Sequence, residues 1–275
     1  MSESFSGAGS APANPRSADS PAACHPSIQV EDAPALAYSA GDGVATLRLN
    51  RTRRGNALSA ELVERLIAAV DAACADSGVH TLVLCSAGAN FCTGFDLSDL
   101  DAETDASLLQ RLVRIELLLD ALWRAPVRTM ACGHGRVWGA GADLFTACDV
   151  RAVTADTTFR FPGAGFGVVL GTRRLAARVG ADLARRCVID GLALSADAAL
   201  AHGLATELSP AFDAAWIAAR CPAPVPDRAT VAALRAVSRT DASDADLAAL
   251  VRSAARPGLR QRIADYRGKQ LRAKK

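Results

Sequence analysis

Between Val44 and Leu49 apolar and polar residues alternate (VATLRL), the period of two expected of a half-buried β-strand. The period then changes. Leu62, Leu66, Ile67, Val70, Ala73 and Cys74 recur at helical spacing within Ser59–Asp76, and Gly78 follows as a stop. Thr81–Cys85 (TLVLC) is a continuous short apolar run, which predicts a strand covered on both faces. A loop over Ser86–Asp96 precedes a helix from about Ala106 to Arg124, closed off by Pro126. Val127–Cys132 and Val150–Val153 read as further strands, with a glycine-rich turn and a short helix between them. Beyond Gly171 the pattern is helical, over Thr172–Val179, Ala181–Asp190, Ser195–His202 and Ala229–Val237, then a charged segment runs to Lys275.

Strands alternating with helices across short connections predict an α/β protein with parallel pairing. No repeat of fixed period is present. Residues 1–35 are rich in Ser, Ala, Pro and Gly and hold few large apolar side chains. Such a segment buries too little surface to offset its ordering entropy, so a disordered tail is expected there. The folded part divides into a core over 36–210 and a helical region over 211–275.

Half of the 275 residues are hydrophobic and 22% are charged, as in a globular protein. A net charge of +2 is too small to argue for nucleic acid or an anionic membrane as partner. No apolar run approaches the roughly 18–20 residues of a membrane span, and no secretory signal is expected at the N-terminus. Eight cysteines, at 24, 74, 85, 92, 132, 148, 187 and 221, form no CxxC pair, and no histidine stands at metal-ligand spacing. A reducing, cytoplasmic setting and no bound metal are therefore expected. Cys92, in the Ser86–Asp96 loop, reads as packing rather than a nucleophile, because nothing nearby would activate its thiol.

The densest chemistry lies in Gly133–Asp149 (GHGRVWGAGADLFTACD), where four glycines within nine residues run into a helix start carrying Asp143. Unpaired N–H groups at such a turn suit an anion or a developing oxyanion, and an acid just inside the helix could transfer a proton beside it. A plain tight turn with a dipole-favoured acid fits the same residues.

Three further blocks reduce that ambiguity. LNRTRRGNAL (residues 49–58), NFCTGFDL (90–97) and LSADAALAHGL (194–204), taken with Gly133–Asp149, occur in an order and spacing that resembles the enoyl-CoA hydratase/isomerase, or crotonase, superfamily. The resemblance covers about Val44 to Leu208. It implies a spiral of ββα units with a C-terminal helical region and an acyl-CoA-binding core. Coenzyme A would enter as part of the substrate, with no separate cofactor. The thioester oxygen would sit between the backbone N–H groups of Phe95 and Ala140. Arg53 and Arg54 fit the nucleotide phosphates, and Ala57, Asp96 and Leu97 fall where the family contacts coenzyme A. The resemblance also implies a homotrimer or dimer of trimers assembled through the helices of 211–275, and a place in fatty acid metabolism as a lyase or isomerase.

The chain departs from the family's hydratases at their acids. Of two glutamates, the first matches Asp143, one methylene shorter, and the second matches Gly163. No Asp or Glu occurs between Thr157 and Ala181. One acid suffices to move a proton between carbons, so isomerisation or another single-base enolate reaction is expected over hydration. The same departure allows a catalytically silent acyl-CoA-binding or structural homologue. Trp138 is expected to narrow the acyl pocket. His134 is expected to play little chemical part, and Arg173 and Arg174 are expected to make ion pairs or a subunit contact.

Overall fold

The computed structural model describes residues 34–272. The strands are β1 (Leu36–Gly41), β2 (Val44–Leu49), β3 (Thr81–Ser86), β4 (Arg128–Gly133), β5 (Arg136–Trp138), β6 (Val150–Val153), β7 (Thr158–Arg160), β8 (Leu194–Ser195) and β9 (Glu207–Leu208). The helices are α1 (Ala60–Ala75), α2 (Asp105–Arg124), α3 (Ala140–Ala147), α4 (Thr172–Val179), α5 (Ala181–Ile189), α6 (Ala196–Ala201), α7 (Ala214–Arg220), α8 (Arg228–Val237), α9 (Ser243–Ala254) and α10 (Leu259–Arg272).

Six strands form one sheet in the order β1-β2-β3-β4-β6-β9, parallel except for the β1–β2 hairpin. β5, β7 and β8 form a second, smaller sheet. The later windings thus give one strand to each sheet (β4 then β5, β6 then β7, β8 then β9), which is the spiral of ββα units that the resemblance implied. β3 is buried along its whole length, as its unbroken apolar run requires. The stripe Leu62, Val63, Leu66, Val70 and Ala73 seats α1 on the main core, and Ser59 caps the helix by accepting the Leu62 N–H. Thr104 and Ser107 form a reciprocal capping box at the start of α2.

Several expectations shift in detail. The chain beyond Gly171 is not wholly helical, since β8 and β9 add two-residue strands to the edges of both sheets. The expected tail falls outside the described residues except for Pro34 and Ala35. These lead into β1, and the Ala35 carbonyl accepts the Asn50 N–H at 2.8 Å. The charged segment after Val237 forms α9 and α10. Both fold back on their own chain, where Leu250, Ala254, Leu259 and Ile263 pack with Leu100, Leu108, Leu112 and Val168. The Asp105 carboxylate, at the start of α2, accepts the Gly258 and Arg260 N–H groups, both at 2.8 Å, and ties down the start of α10. Among the described residues no helix is long and apolar enough to cross a membrane.

One close approach sets the position of α3. A methyl group at Gly141 would lie 2.4 Å from the Cys92 carbonyl oxygen and 2.8 Å from its Sγ, so only glycine lets the helix reach the Phe91–Phe95 loop. Gly141→Ala is expected to destabilise the fold by about 1–3 kcal/mol through overpacking. Guanidinium titration checks this, and an unchanged midpoint would show that α3 is not held this tightly.

Candidate active site

The Phe91–Phe95 loop is fastened to the chain after β2 by a parallel bridge between Leu58 and Phe95. The Leu58 N–H donates to the Gly94 carbonyl at 2.8 Å, and the Asp96 N–H donates to the Leu58 carbonyl at 3.2 Å. In such a bridge the middle residue turns its own N–H to the opposite side. The neighbouring Gly94 lies against the start of α3. Here the Gly139 N–H is taken by the Arg160 carbonyl at 2.8 Å, while Ala140 begins the helix with an N–H that has no intrahelical acceptor. Neither the Phe95 nor the Ala140 N–H has a protein acceptor among the described residues. Gly94, at φ +96°, brings the two segments together, because a methyl group there would lie 2.8 Å from the Trp138 oxygen and 3.3 Å from the Ala140 nitrogen.

Around this point lies a cavity of about 290 Å³ that Phe95, Leu97, Trp138, Ala140 and Asp143 help to line. The structure therefore brings together all three expected catalytic positions. Asp143 is the only carboxylate among the lining residues. Its carboxyl is buried, takes no hydrogen bond from the described residues, and lies against Gly171, where a methyl group would be 2.1 Å from Oδ1. Burial holds its pKa well above the usual carboxylate range, with the nearby Glu116 charge adding to the rise and Arg174 opposing it. Glu116 and Arg174 form a bidentate ion pair at 2.6 and 3.2 Å, and both are almost wholly buried. Arg173 pairs with Asp246 at 2.7 Å, so both arginines make ion pairs within the chain.

The other expected positions are placed as follows. Leu97 lines the cavity, but Arg53, Arg54, Ala57 and Asp96 do not. Arg53 and Arg54 lie exposed on a 3-10 turn, Thr52–Arg54. The buried Ala57 offers its carbonyl to the Arg51 guanidinium. The Asp96 carboxylate pairs with Arg51 at 2.8 Å and accepts the Ser98 N–H and hydroxyl, so it braces the loop. Asn56 stitches the same region: its side chain donates to the Ala87 and Asn90 carbonyls, both at 2.8 Å, and accepts the Arg51 N–H.

Cys92 is buried and its thiol pKa is pushed up to about 12 by burial, which keeps it a packing group. A larger cavity of about 390 Å³ lies elsewhere, bordered by Ser86, His134, Asp156 and Phe212. It touches none of the three expected catalytic positions, and His134 there bonds the Gly88 carbonyl at 3.0 Å.

Several residues at the site carried no local signal in the sequence. Arg111 lies 4.2 Å over the Phe95 ring and donates to the Asp96 carbonyl at 2.8 Å, fixing the loop that presents the Phe95 N–H. Tyr266 and Gln270 reach the cavity from α10, and Arg160 reaches it from β7. Arg262 donates to the Phe166 and Gly167 carbonyls at 2.9 and 3.2 Å, holding the Gly163–Gly171 loop over the cavity.

A two-sheet spiral with a helix-borne acid beside its cavity defines a protein of the crotonase fold. A family model described as enoyl-CoA hydratase/isomerase matches residues 39–247. The chain belongs to the enoyl-CoA hydratase/isomerase family of enzymes. It is 45% identical to an enoyl-CoA hydratase/isomerase structure from Bordetella parapertussis, with a TM-score of 0.81 over 85% of this chain and 98% of that one. A Mycobacterium leprae protein bearing an enoyl-CoA hydratase name is 37% identical over 190 residues, 66% of this chain and 75% of the relative. A trans-2-decenoyl-acyl-carrier-protein isomerase from Streptococcus mutans is 32% identical over 176 residues, 62% of this chain and 67% of the relative.

Proposed function

We propose that the protein binds an acyl-CoA thioester with its carbonyl oxygen between the Phe95 and Ala140 N–H groups, and that Asp143 moves a proton between two carbons of the acyl chain. The observation that carries this reading is the single carboxylate in the cavity lining, which it shares with Phe95 and Ala140, whose N–H groups have no acceptor among the described residues. In double-bond migration the Asp143 carboxylate removes a proton from C2 of a 3-enoyl thioester. The electron pair passes into the carbonyl, and the resulting dienolate oxygen rests on the two N–H groups. Asp143 then returns the proton to C4, leaving the double bond between C2 and C3. Fixed peptide dipoles need no reorientation as the oxygen gains charge, and one such donor contributes roughly 3–4 kcal/mol.

Hydration is the less favoured outcome. It asks for one group to activate water and another to manage the C2 proton, and Gly163 offers no side chain for the second task. Asp143 also stands back by about one C–C bond, roughly 1.5 Å, from where a glutamate would reach. The Streptococcus mutans relative, named as an isomerase, supports the same preference. Arg53 and Arg54 would meet the nucleotide phosphates from their exposed turn, with the backbone of Ala57, Asp96 and Leu97 along the coenzyme A arm. A homotrimer or dimer of trimers, in the cytoplasm, completes the proposal.

The test is a set of 3-enoyl-, 2-enoyl- and malonyl-CoA thioesters, with conjugated product followed by ultraviolet absorbance and hydroxylated product by mass. Conversion of 3-enoyl- to 2-enoyl-CoA without 3-hydroxyacyl-CoA is expected. Hydration as fast as isomerisation would overturn the preference. The absence of Glu at 163 also favours a second reading, a silent acyl-CoA binder, which retained binding with no turnover of any thioester would support.

A further inference from the structure

The acyl cavity has an unusual charge balance. Only two of its lining residues carry ionisable acidic or basic side chains of ordinary charge, Asp143 and Arg160. No acid stands at Gly163, three residues after Arg160, to neutralise the guanidinium. Arg160 lies over the Trp138 ring, 5.0 Å from its centre, while Trp138 is itself anchored by its Nε1–H donating to Thr158 at 3.1 Å. The Arg160 guanidinium has no hydrogen bond or ion pair with any other described residue. From α10, Tyr266 and Gln270 stand one helical turn apart on the same face and line the same cavity. The Tyr266 ring is seated edge-on against Phe166 at 5.5 Å, and its hydroxyl also has no protein partner among the described residues.

We infer that Arg160, with Tyr266 and Gln270, recognises a carboxylate at the far end of the acyl group, so that the preferred substrates are thioesters of dicarboxylic acids. The inference rests on the acyl-CoA reading above. A guanidinium, a phenol and a carboxamide bring hydrogen-bond donors to a cavity whose walls also include Leu97, Leu112, Val168 and Leu170. A guanidinium whose ring contact is the Trp138 indole, shared with Arg136 at 4.9 Å, and which has no ion pair among the described residues keeps N–H groups for the planar fork of a carboxylate.

Arg160 shares its cavity with the Phe95 and Ala140 N–H groups. The phosphates of coenzyme A, by contrast, are separated from the thioester by the whole pantetheine arm. Of the two anions such a substrate could offer, the acyl carboxylate is therefore the one placed to meet Arg160.

The test compares succinyl-, glutaryl- and adipyl-CoA with butyryl-, pentanoyl- and hexanoyl-CoA by calorimetry on the full chain. At least one dicarboxylic thioester is expected to bind about tenfold tighter than its carbon-matched partner. Arg160→Gln is expected to erase that preference while leaving the uncharged thioesters within about twofold. Tyr266→Phe is expected to reduce the preference partially. Arg160 is exposed, so Arg160→Gln is not expected to disturb folding. Equal binding of the two series to the unaltered protein, or a preference that survives Arg160→Gln, would overturn the inference. Equal weakening of both series and of free coenzyme A by Arg160→Gln would overturn it in favour of a phosphate contact. Failure of every thioester to bind would instead remove the acyl-CoA reading on which it rests.

Discussion

Asp143→Asn is expected to lower turnover of an active acyl-CoA substrate by roughly 10²–10⁴-fold, the range for removing a positioned proton-transfer group. Thioester affinity should stay nearly unchanged, because the Phe95 and Ala140 donors are backbone groups that the substitution does not touch. The loss should therefore appear in kcat with little movement in KM. Turnover by the Asp143→Asn variant at the unaltered rate would take the residue out of the mechanism. The pH dependence has a definite sign. Burial raises the folded-state pKa of Asp143, so the folded protein holds this proton over a range where the unfolded chain has released it. Stability is highest below the ordinary carboxylate pKa and declines as pH rises toward the raised folded value. The Asp143→Asn variant lacks this slope, and should match the parent in acid and exceed it in stability at neutral and alkaline pH. Where Asp143 acts as a base, the acid limb of kcat/KM should lie well above the normal carboxylate range.

The parts of this site that were legible in the sequence are those carried by contiguous segments. Gly139-Ala140 with Asp143 one turn into α3, and Gly94-Phe95 in its loop, each hold their geometry within a few residues. A pattern read along the chain finds them. The long elements were legible for the same reason, since α1 and β3 each repeat one period over many residues. The short strands β5, β7 and β8 have two or three residues each, too few to show any period. α9 and α10 hide behind their charge, because their buried positions are a few residues scattered among exposed arginines and aspartates. The remaining site groups arise only from tertiary contact. Arg160 and Tyr266 are far apart in the chain and share a cavity only because α10 folds back over the Gly163–Gly171 loop. Asp96 falls among the expected coenzyme A contacts in the sequence, yet its charge is satisfied by Arg51.

The second large effect is expected at Arg174. Its guanidinium holds Glu116 through two bonds, and the side chains are only 3% and 2% exposed. Removing one partner strands the other charge in the interior, which typically costs about 3–5 kcal/mol. Arg174→Leu should lose stability of that order at neutral pH, whereas the double variant Glu116→Leu, Arg174→Leu should recover most of it by removing both charges. Burial already raises the Glu116 pKa despite the pull of Arg174, and without the arginine it should rise further. The added destabilisation is therefore full above that new pKa and fades as pH falls toward the ordinary carboxylate value, where both states are protonated. Guanidinium titrations at acid and neutral pH read this directly, and a loss under about 1 kcal/mol or one independent of pH would contradict a stranded Glu116. The pair also bears on catalysis, because the Glu116 charge raises the Asp143 pKa and Arg174 lowers it. In active variants, Glu116→Gln should move the acid limb of kcat/KM down and Arg174→Leu should move it up. Equal shifts in the same direction would show that the substitutions act through packing, since loss of a neighbouring negative charge and loss of a positive one must displace the Asp143 titration in opposite senses.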